Sequence, residues 1–245
     1  MTPSPSSPSQ LKVASWLIYA TKSEQEAARR VKTLIVDIKM DRYQRASGRA
    51  LVAVAIEAAV ARLSSQDRAY WDSDPMLVPV PRSGLNKPNT IWPAHRICEE
   101  LVKSGLGVDT LPVIERTTAV EKSAGGLNRP EFETQLASLS VRPRLKPPTR
   151  LILVDDVVTR GTTMLACAAK LALAYPGIPV SCFALARVQS SGDPIAVFAP
   201  VIELVSLLGT HGVRKPAPRR TRCSSYPPLG KNRTYIREPT APCAG

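Results

Sequence analysis

The chain lacks the features that would place it in several large classes of protein. No stretch approaches the roughly 18 consecutive apolar residues that a membrane-crossing helix needs. The opening MTPSPSSPSQ carries no positive charge ahead of an apolar run, so it does not read as a secretory signal, and the cytoplasm is the expected location. The five cysteines (Cys98, Cys167, Cys182, Cys223, Cys243) are scattered without a C-x-x-C pair. That spacing excludes a sequence-evident zinc site and supplies no disulfide framework. Cys98, Cys167 and Cys182 lie in apolar runs and read as small core residues. The two histidines, His95 and His211, read as a helix-face residue and a tail residue, with no cluster for catalysis. A Walker-type phosphate loop is also missing, because no G-x-x-x-x-G-K-[ST] string occurs.

What is present suits a globular domain. The 245 residues are 44% hydrophobic and 22% charged, enough for one substantial α/β domain with an appendage. The net charge of +13 is unevenly spread. From Leu208 onward there are eight Lys or Arg against Glu238 alone, a local charge of +7. Such a segment is a solvated tail, a tail that folds back onto the body, or a nucleic-acid contact. The reading is therefore a disordered Pro- and Ser-rich start (1–10), a domain over 11–208, and a basic Pro/Arg-rich tail over 209–245.

Periodicity gives the elements. Val31, Leu34, Ile35 and Ile38 fall at helical spacing, and an Ala- and Val-rich run from about Gly48 to Leu63 reads as a well-buried helix, so the N-terminal part is expected to be helical. Met76–Val80 is a short apolar run between turn signals, as in a central parallel strand, although Pro79 cannot donate to a ladder. A helix ending near Ser104 should carry Ile91, His95, Cys98 and Leu101 as its buried stripe. Leu111–Ile114, Leu151–Val154 and Val180–Leu185 read as strands, Thr162–Leu173 as a helix, and Ile195–Leu208 as either. Strands alternating with helices imply an open, mostly parallel sheet flanked by helices.

One segment carries chemistry. Leu151-Ile-Leu-Val154 leads into Asp155-Asp156, then Val157-Val158, then Thr159-Arg160-Gly161-Thr162-Thr163 opening a helix. A buried strand holds its carboxyl end at the sheet edge, where α/β folds place ligands. Adjacent carboxylates repel unless they accept hydrogen bonds, which ribose hydroxyls or a metal-bound water can supply. The Thr-Arg-Gly-Thr-Thr turn offers backbone N–H groups, hydroxyls and a helix N-terminus to a phosphate, with Gly161 free to take a positive φ. The competing reading is an ordinary strand and a helix capped by Thr159 or Thr162.

At these residues the sequence resembles the type I phosphoribosyltransferases, whose signature is an apolar strand, an acidic pair, two residues and Thr/Asp-x-Gly-x-Thr. The resemblance implies that Asp155 and Asp156 hold the ribose hydroxyls of 5-phosphoribosyl-1-pyrophosphate and that Thr159–Thr163 bind its 5′-phosphate. It also implies Mg²⁺ bound largely through the substrate's pyrophosphate, with Asp155 or Asp156 as its protein contact. Pro81-Arg82-Ser83-Gly84 stands where the family has its pyrophosphate loop, with Arg82 as a planar donor. The polar stretch Thr117–Glu133, with Lys122 and Arg129, is the candidate lid. Within the superfamily the chain is most similar to the competence-associated ComF-like group, through Ile38-Lys-Met-Asp41, an Ala-rich helix, V-P-V-P and L-V-D-D-V-V-T-R-G. It has no N-terminal cysteine zinc ribbon, and Ser83-Gly-Leu-Asn-Lys87 stands near the group's R-G-x-N-Q position.

Thr159 stands where 6-oxopurine salvage enzymes of the family carry an aspartate placed as a base, which disfavours that acceptor chemistry. Two functions stay open: phosphoribosyl transfer to a nitrogen acceptor with release of pyrophosphate, or a non-catalytic nucleotide-sensing or DNA-associated protein on the same fold. The expected partners are the phosphoribosyl donor or a nucleotide, a nucleic acid on the basic tail, and a second copy of the chain.

Overall fold

The computed structural model describes residues 10–85, 89–120, 130–144 and 148–216. In chain order these form β1 (Gln10–Ala20), α1 (Glu26–Lys39), α2 (Leu51–Val60), α3 (Ser65–Arg68), a 3₁₀ turn (Ala69–Trp71), β2 (Met76–Pro79), α4 (Pro93–Lys103), β3 (Asp109–Thr110) and β4 (Ile114–Arg116). There follow α5 (Phe132–Ala137), β5 (Leu139–Val141), β6 (Leu151–Val158), α6 (Thr162–Ala174), β7 (Val180–Gln189), β8 (Phe198–Leu208) and β9 (His211–Pro216).

Among the described residues the main sheet runs β3-β2-β6-β7-β1-β8-β9, and β4 pairs with β5 in a separate small ribbon. The pairs from β3 to β1 are parallel, while β8 and β9 add an antiparallel edge. The expected open, mostly parallel α/β sheet is therefore observed. The continuous apolar runs follow from burial on both faces. In β6, Leu151 and Leu153 face one core with α6, while Ile152 and Val154 face the other with α1, α2 and α4. Trp16, Trp71 and Phe183 meet edge-on or tilted in the second core, with ring centroids 4.6–5.8 Å apart.

Several expectations are corrected. The N-terminal part opens with a strand rather than a helix, and β1 sits centrally between β7 and β8. Residues 1–9 lie outside the described residues. Helix α2 fully buries only Val52, Ile56 and Ala59, so it is buried along one face rather than on most faces, although nearly all of its residues are apolar. The stripe of α4 is Ala94, Ile97, Cys98 and Leu101; Ile91 precedes the helix and is 40% exposed. Leu111–Ile114 is not one strand: Thr110 ends β3 in the main sheet, Pro112 interrupts, and Ile114 starts β4 in the small ribbon. The ambiguous run resolves as β8, and the sheet continues past residue 208 through β9 to Pro216. The rest of the basic tail, 217–245, lies outside the described residues. Cys98, Cys167 and Cys182 are buried and free, as expected.

Pro79 sits in β2 without breaking it for a geometric reason. The Met76 and Val80 N–H groups donate to the carbonyls of Arg150, just before β6, and Val154, within it, at 3.0 and 2.8 Å. Pro79 therefore turns its donor-less nitrogen to the other side, where pairing with β3 has already ended at Leu77.

Helix α4, after β2, packs on the second core, whereas α6, after β6, packs on the first. The chain thus leaves two neighbouring parallel strands toward opposite faces and in opposite directions along the sheet. A crevice opens at such a switch point, outside the carboxyl ends of the strands.

Candidate functional site

A cleft of about 900 Å³ lies at that crevice. It is lined by Pro81, Arg82 and Ser83 after β2, by every residue from Asp155 to Thr163, and by Lys39, Trp92, Arg116 and His211 among others. The residues singled out at the end of β6 and after β2 therefore face one cavity. Gly84 is half-buried in the same loop, and Lys122 and Arg129 lie outside the described residues.

The acidic pair lies in the second half of β6, followed by Val157 and Val158. Its own chain supplies part of the compensation, since the Asp156 N–H donates to Asp155 Oδ1 at 2.9 Å. Burial pushes the Asp155 carboxyl well above the usual carboxylate range, and the Asp156 charge adds to the rise. The Asp156 backbone N–H, Lys39 and Arg116 oppose it in part. Lys39, the last residue of α1, reaches Asp156 Oδ2 at 3.3 Å. It is a site residue that periodicity alone did not find, although it lies within the Ile38–Asp41 string that carried the family resemblance. Asp41, at φ 50°, pairs with Arg96 of α4 at 3.2 Å and holds this turn beside the cleft.

The Thr159–Thr163 turn has a specific shape. Gly161 precedes α6 with φ 84°, so the left-handed conformation expected of it is used. A Cβ there would stand 2.7 Å from Val205 Cγ1 of β8, which forbids a larger residue even if the φ were tolerated. No threonine caps α6 through its side chain. The Thr162 hydroxyl instead accepts from the Gly212 N–H at 2.9 Å, tying the turn to β9. Val158 is buried in the first core, whereas Val157 is half-buried and Arg160 is exposed.

The β8–β9 hairpin backs this turn. A Cβ on Gly212 would meet Arg160 O at 2.6 Å and Thr162 N at 2.8 Å, so the two backbones approach as closely as they can. His211 consequently lines the cleft, correcting its reading as a tail residue. Its Nδ1 is 2.9 Å from Thr210 Oγ1. The signal was available: Leu204–Leu208, a two-residue Gly209-Thr210 link with Gly209 at φ 59°, and His211–Val213 form a tight hairpin pattern.

The opposite rim is assembled from distant pieces. Arg116 at the end of β4 is buried, and its Nε–H donates to the Arg82 carbonyl at 2.7 Å. Its remaining nitrogens donate to Gln135 Oε1 at 2.6 Å and to the Ser138 hydroxyl. Burial lowers the Arg116 pKa, while nearby Cys167 and Asp155 pull it back up. Trp92 donates its indole N–H to the Val80 carbonyl at 2.8 Å, fixing the start of α4 against the end of β2. The Arg82 side chain itself is exposed at the cleft.

Taken together, the cleft has a glycine turn at a helix N-terminus, two carboxylates with one ammonium beside them, and Arg82 and Arg116 on the far rim. Among the described residues no group of three His, Cys, Asp or Glu could hold a metal ion. No described helix is long and apolar enough to cross a membrane.

No family model and no curated protein matches the chain. Two solved structures of a hypoxanthine phosphoribosyltransferase from Staphylococcus aureus, in tetragonal and orthorhombic crystals, are similar to it at 12% and 9% identity. Their TM-scores are 0.34 and 0.33, and the matches span 60% and 58% of this chain and 71% of that one.

Proposed function

We propose that the chain binds 5-phosphoribosyl-1-pyrophosphate with Mg²⁺ and transfers the phosphoribosyl group to a nitrogen acceptor, releasing pyrophosphate. One observation carries this reading: the acidic pair and the Thr159–Thr163 turn share a single cleft with Pro81, Arg82 and Ser83 and with Arg116. Thr159–Thr163 and the α6 N-terminus anchor the 5′-phosphate. Asp155 and Asp156 accept hydrogen bonds from the ribose hydroxyls, which offset the burial and mutual repulsion of the pair. Arg82 and the loop amides steady the pyrophosphate as the C1′–oxygen bond breaks and the bond from C1′ to nitrogen forms. Catalysis on this scheme is positioning and electrostatics.

The donor set fits Mg²⁺ only as a shared ligand. Asp155 and Asp156 are two carboxylates, one already paired with Lys39, so the remaining oxygens would come from the substrate's pyrophosphate and water. Bound there, the ion would supply charge neutralisation to the leaving group.

Thr159 favours a second reading. No carboxylate stands at that position to serve as a base, and a non-catalytic nucleotide-sensing or DNA-associated protein needs none. Incubation with donor, Mg²⁺ and a panel of nucleobases separates the two. Pyrophosphate release dependent on one acceptor is expected. Tight donor binding without release on any acceptor, with salt-sensitive DNA binding that disappears on deleting 217–245, the part of the basic tail beyond β9, would favour the second reading.

A further inference from the structure

We infer that Arg116 is a positioning residue that turns the Pro81–Gly84 loop into a cradle for pyrophosphate, an inference that rests on reading the cleft as a phosphoribosyl pyrophosphate site. Arg116 is only 7% exposed. Its guanidinium is spent on a fork of neutral acceptors: the Arg82 carbonyl, the Gln135 side-chain oxygen and the Ser138 hydroxyl. Ser138 in turn donates its hydroxyl hydrogen to the Gln135 carbonyl at 2.7 Å, so the fork is locked by α5 and its C-terminal cap. A planar guanidinium held at three points has one orientation, which a lysine cannot reproduce.

The consequence falls on the loop. The Arg82 carbonyl is committed to Arg116, and the next carbonyl, of Ser83, accepts from the Val120 N–H at 2.9 Å. No described peptide is cis, and in a trans peptide the C=O of one residue and the N–H of the next point in opposite directions. The Ser83 and Gly84 N–H groups are thereby both turned away from the Arg116–Val120 side. Successive N–H groups presented together make an anion nest. Among the described residues no carboxylate pairs with Arg116, so its charge adds to the positive field of the cleft that it lines. The loop residues alone do not specify this arrangement. It is imposed from residue 116, 34 positions further along the chain.

Calorimetry on the full chain with Mg²⁺ tests this, using inorganic pyrophosphate and ribose 5-phosphate as separate probes. Arg116→Gln should weaken pyrophosphate tenfold or more and, measured above the raised Asp155 pKa, where the acidic pair is ionised with or without Arg116, leave ribose 5-phosphate within twofold, because the latter uses the acidic pair and the Thr159–Thr163 turn. Arg116→Lys should recover only part of the loss, since it restores the charge without the fork. Equal weakening of both probes, or unchanged pyrophosphate affinity, overturns the inference. If Arg116→Gln fails to fold by circular dichroism, Gln135→Leu and Ser138→Ala decide, as each loosens the fork while keeping the arginine. A selective loss of pyrophosphate affinity of threefold or more supports the inference, and no selective loss overturns it. A wild-type chain that takes pyrophosphate but not ribose 5-phosphate overturns the phosphoribosyl reading while Arg116 is still judged on pyrophosphate. One that takes neither overturns both.

Discussion

The two rims of the cleft are built on opposite plans. The β6–α6 rim is one continuous segment, Asp155–Thr163, in which strand, carboxylates, glycine turn and helix follow one another in the chain. The far rim is a short loop whose carbonyls are held by Arg116 and Val120, with Gln135 and Ser138 behind them. A local rim can be written into nine residues, with β8 and β9 packed closely behind it. A rim assembled at long range depends on side chains with no distinctive neighbours in sequence. The comparison teaches where each half is vulnerable: the first chiefly to its own backbone and charges, the second to side chains far from it in sequence.

The largest expected effect on the local rim is from Gly161→Ala. A non-glycine residue at φ 84° is strained, and its Cβ would lie 2.7 Å from Val205 Cγ1. Strain and overpacking together should cost about 2–4 kcal/mol in urea unfolding. Ribose 5-phosphate affinity should fall with it, while pyrophosphate affinity in the folded variant stays near wild type, the mirror image of Arg116→Gln. Loss of both ligands in a variant that remains folded would break the separation of the rims.

A smaller effect concerns Asp155. Its folded pKa is raised by burial and by Asp156. A raised carboxyl contributes stability that is fully present below its unfolded pKa and is lost as the pH rises through its folded pKa. At pH 8 the ionised carboxylate is therefore a liability. Asp155→Asn should raise Tm there by about 2–4 °C, the size expected of roughly 1 kcal/mol in a chain this long. Near pH 3, below both pKa values, the variant should lose that advantage, and thermal scans at the two pH values check the difference. Equal Tm shifts at both would remove the electrostatic account of the pair.

The smallest expected effect is from Lys39→Met. Lys39 holds the Asp155 pKa down and pairs with Asp156 from a side chain that is 42% exposed. Solvent screening limits such a pair to about 0.2–1 kcal/mol. Titrating donor affinity against pH should show the midpoint moved upward in the variant, with affinity converging on wild type in alkali. An unmoved midpoint would mean that Lys39 does not hold the Asp155 pKa down.

The same contrast explains what was legible in the sequence. The parallel core was readable because strands buried on both faces leave unbroken apolar runs such as Leu151–Val154. The acidic pair and its turn were readable because their order along the chain is itself the signal. β1 was missed, although Leu11, Val13, Trp16 and Ile18 are buried, because a Pro- and Ser-rich start and intervening Lys12 and Ser15 mask the run. Ser15 and Lys12 sit in a strand between two partners, where position in the sheet outweighs residue type. His211 was taken for tail because the composition turns basic and Pro-rich just beyond it. Lys39 and Arg116 were not singled out for a different reason: one reaches Asp156 and the other Arg82 only through tertiary structure.

Donor binding by the acidic pair tests the central claim most directly. Calorimetry with 5-phosphoribosyl-1-pyrophosphate and Mg²⁺ should show a loss of at least about a hundredfold in Asp155→Asn with Asp156→Asn, since hydrogen bonds to charged groups contribute about 1.5–3 kcal/mol each. Circular dichroism should find the double variant folded. Donor affinity unchanged in that folded variant would contradict the assignment of this cleft to a ribose 5-phosphate.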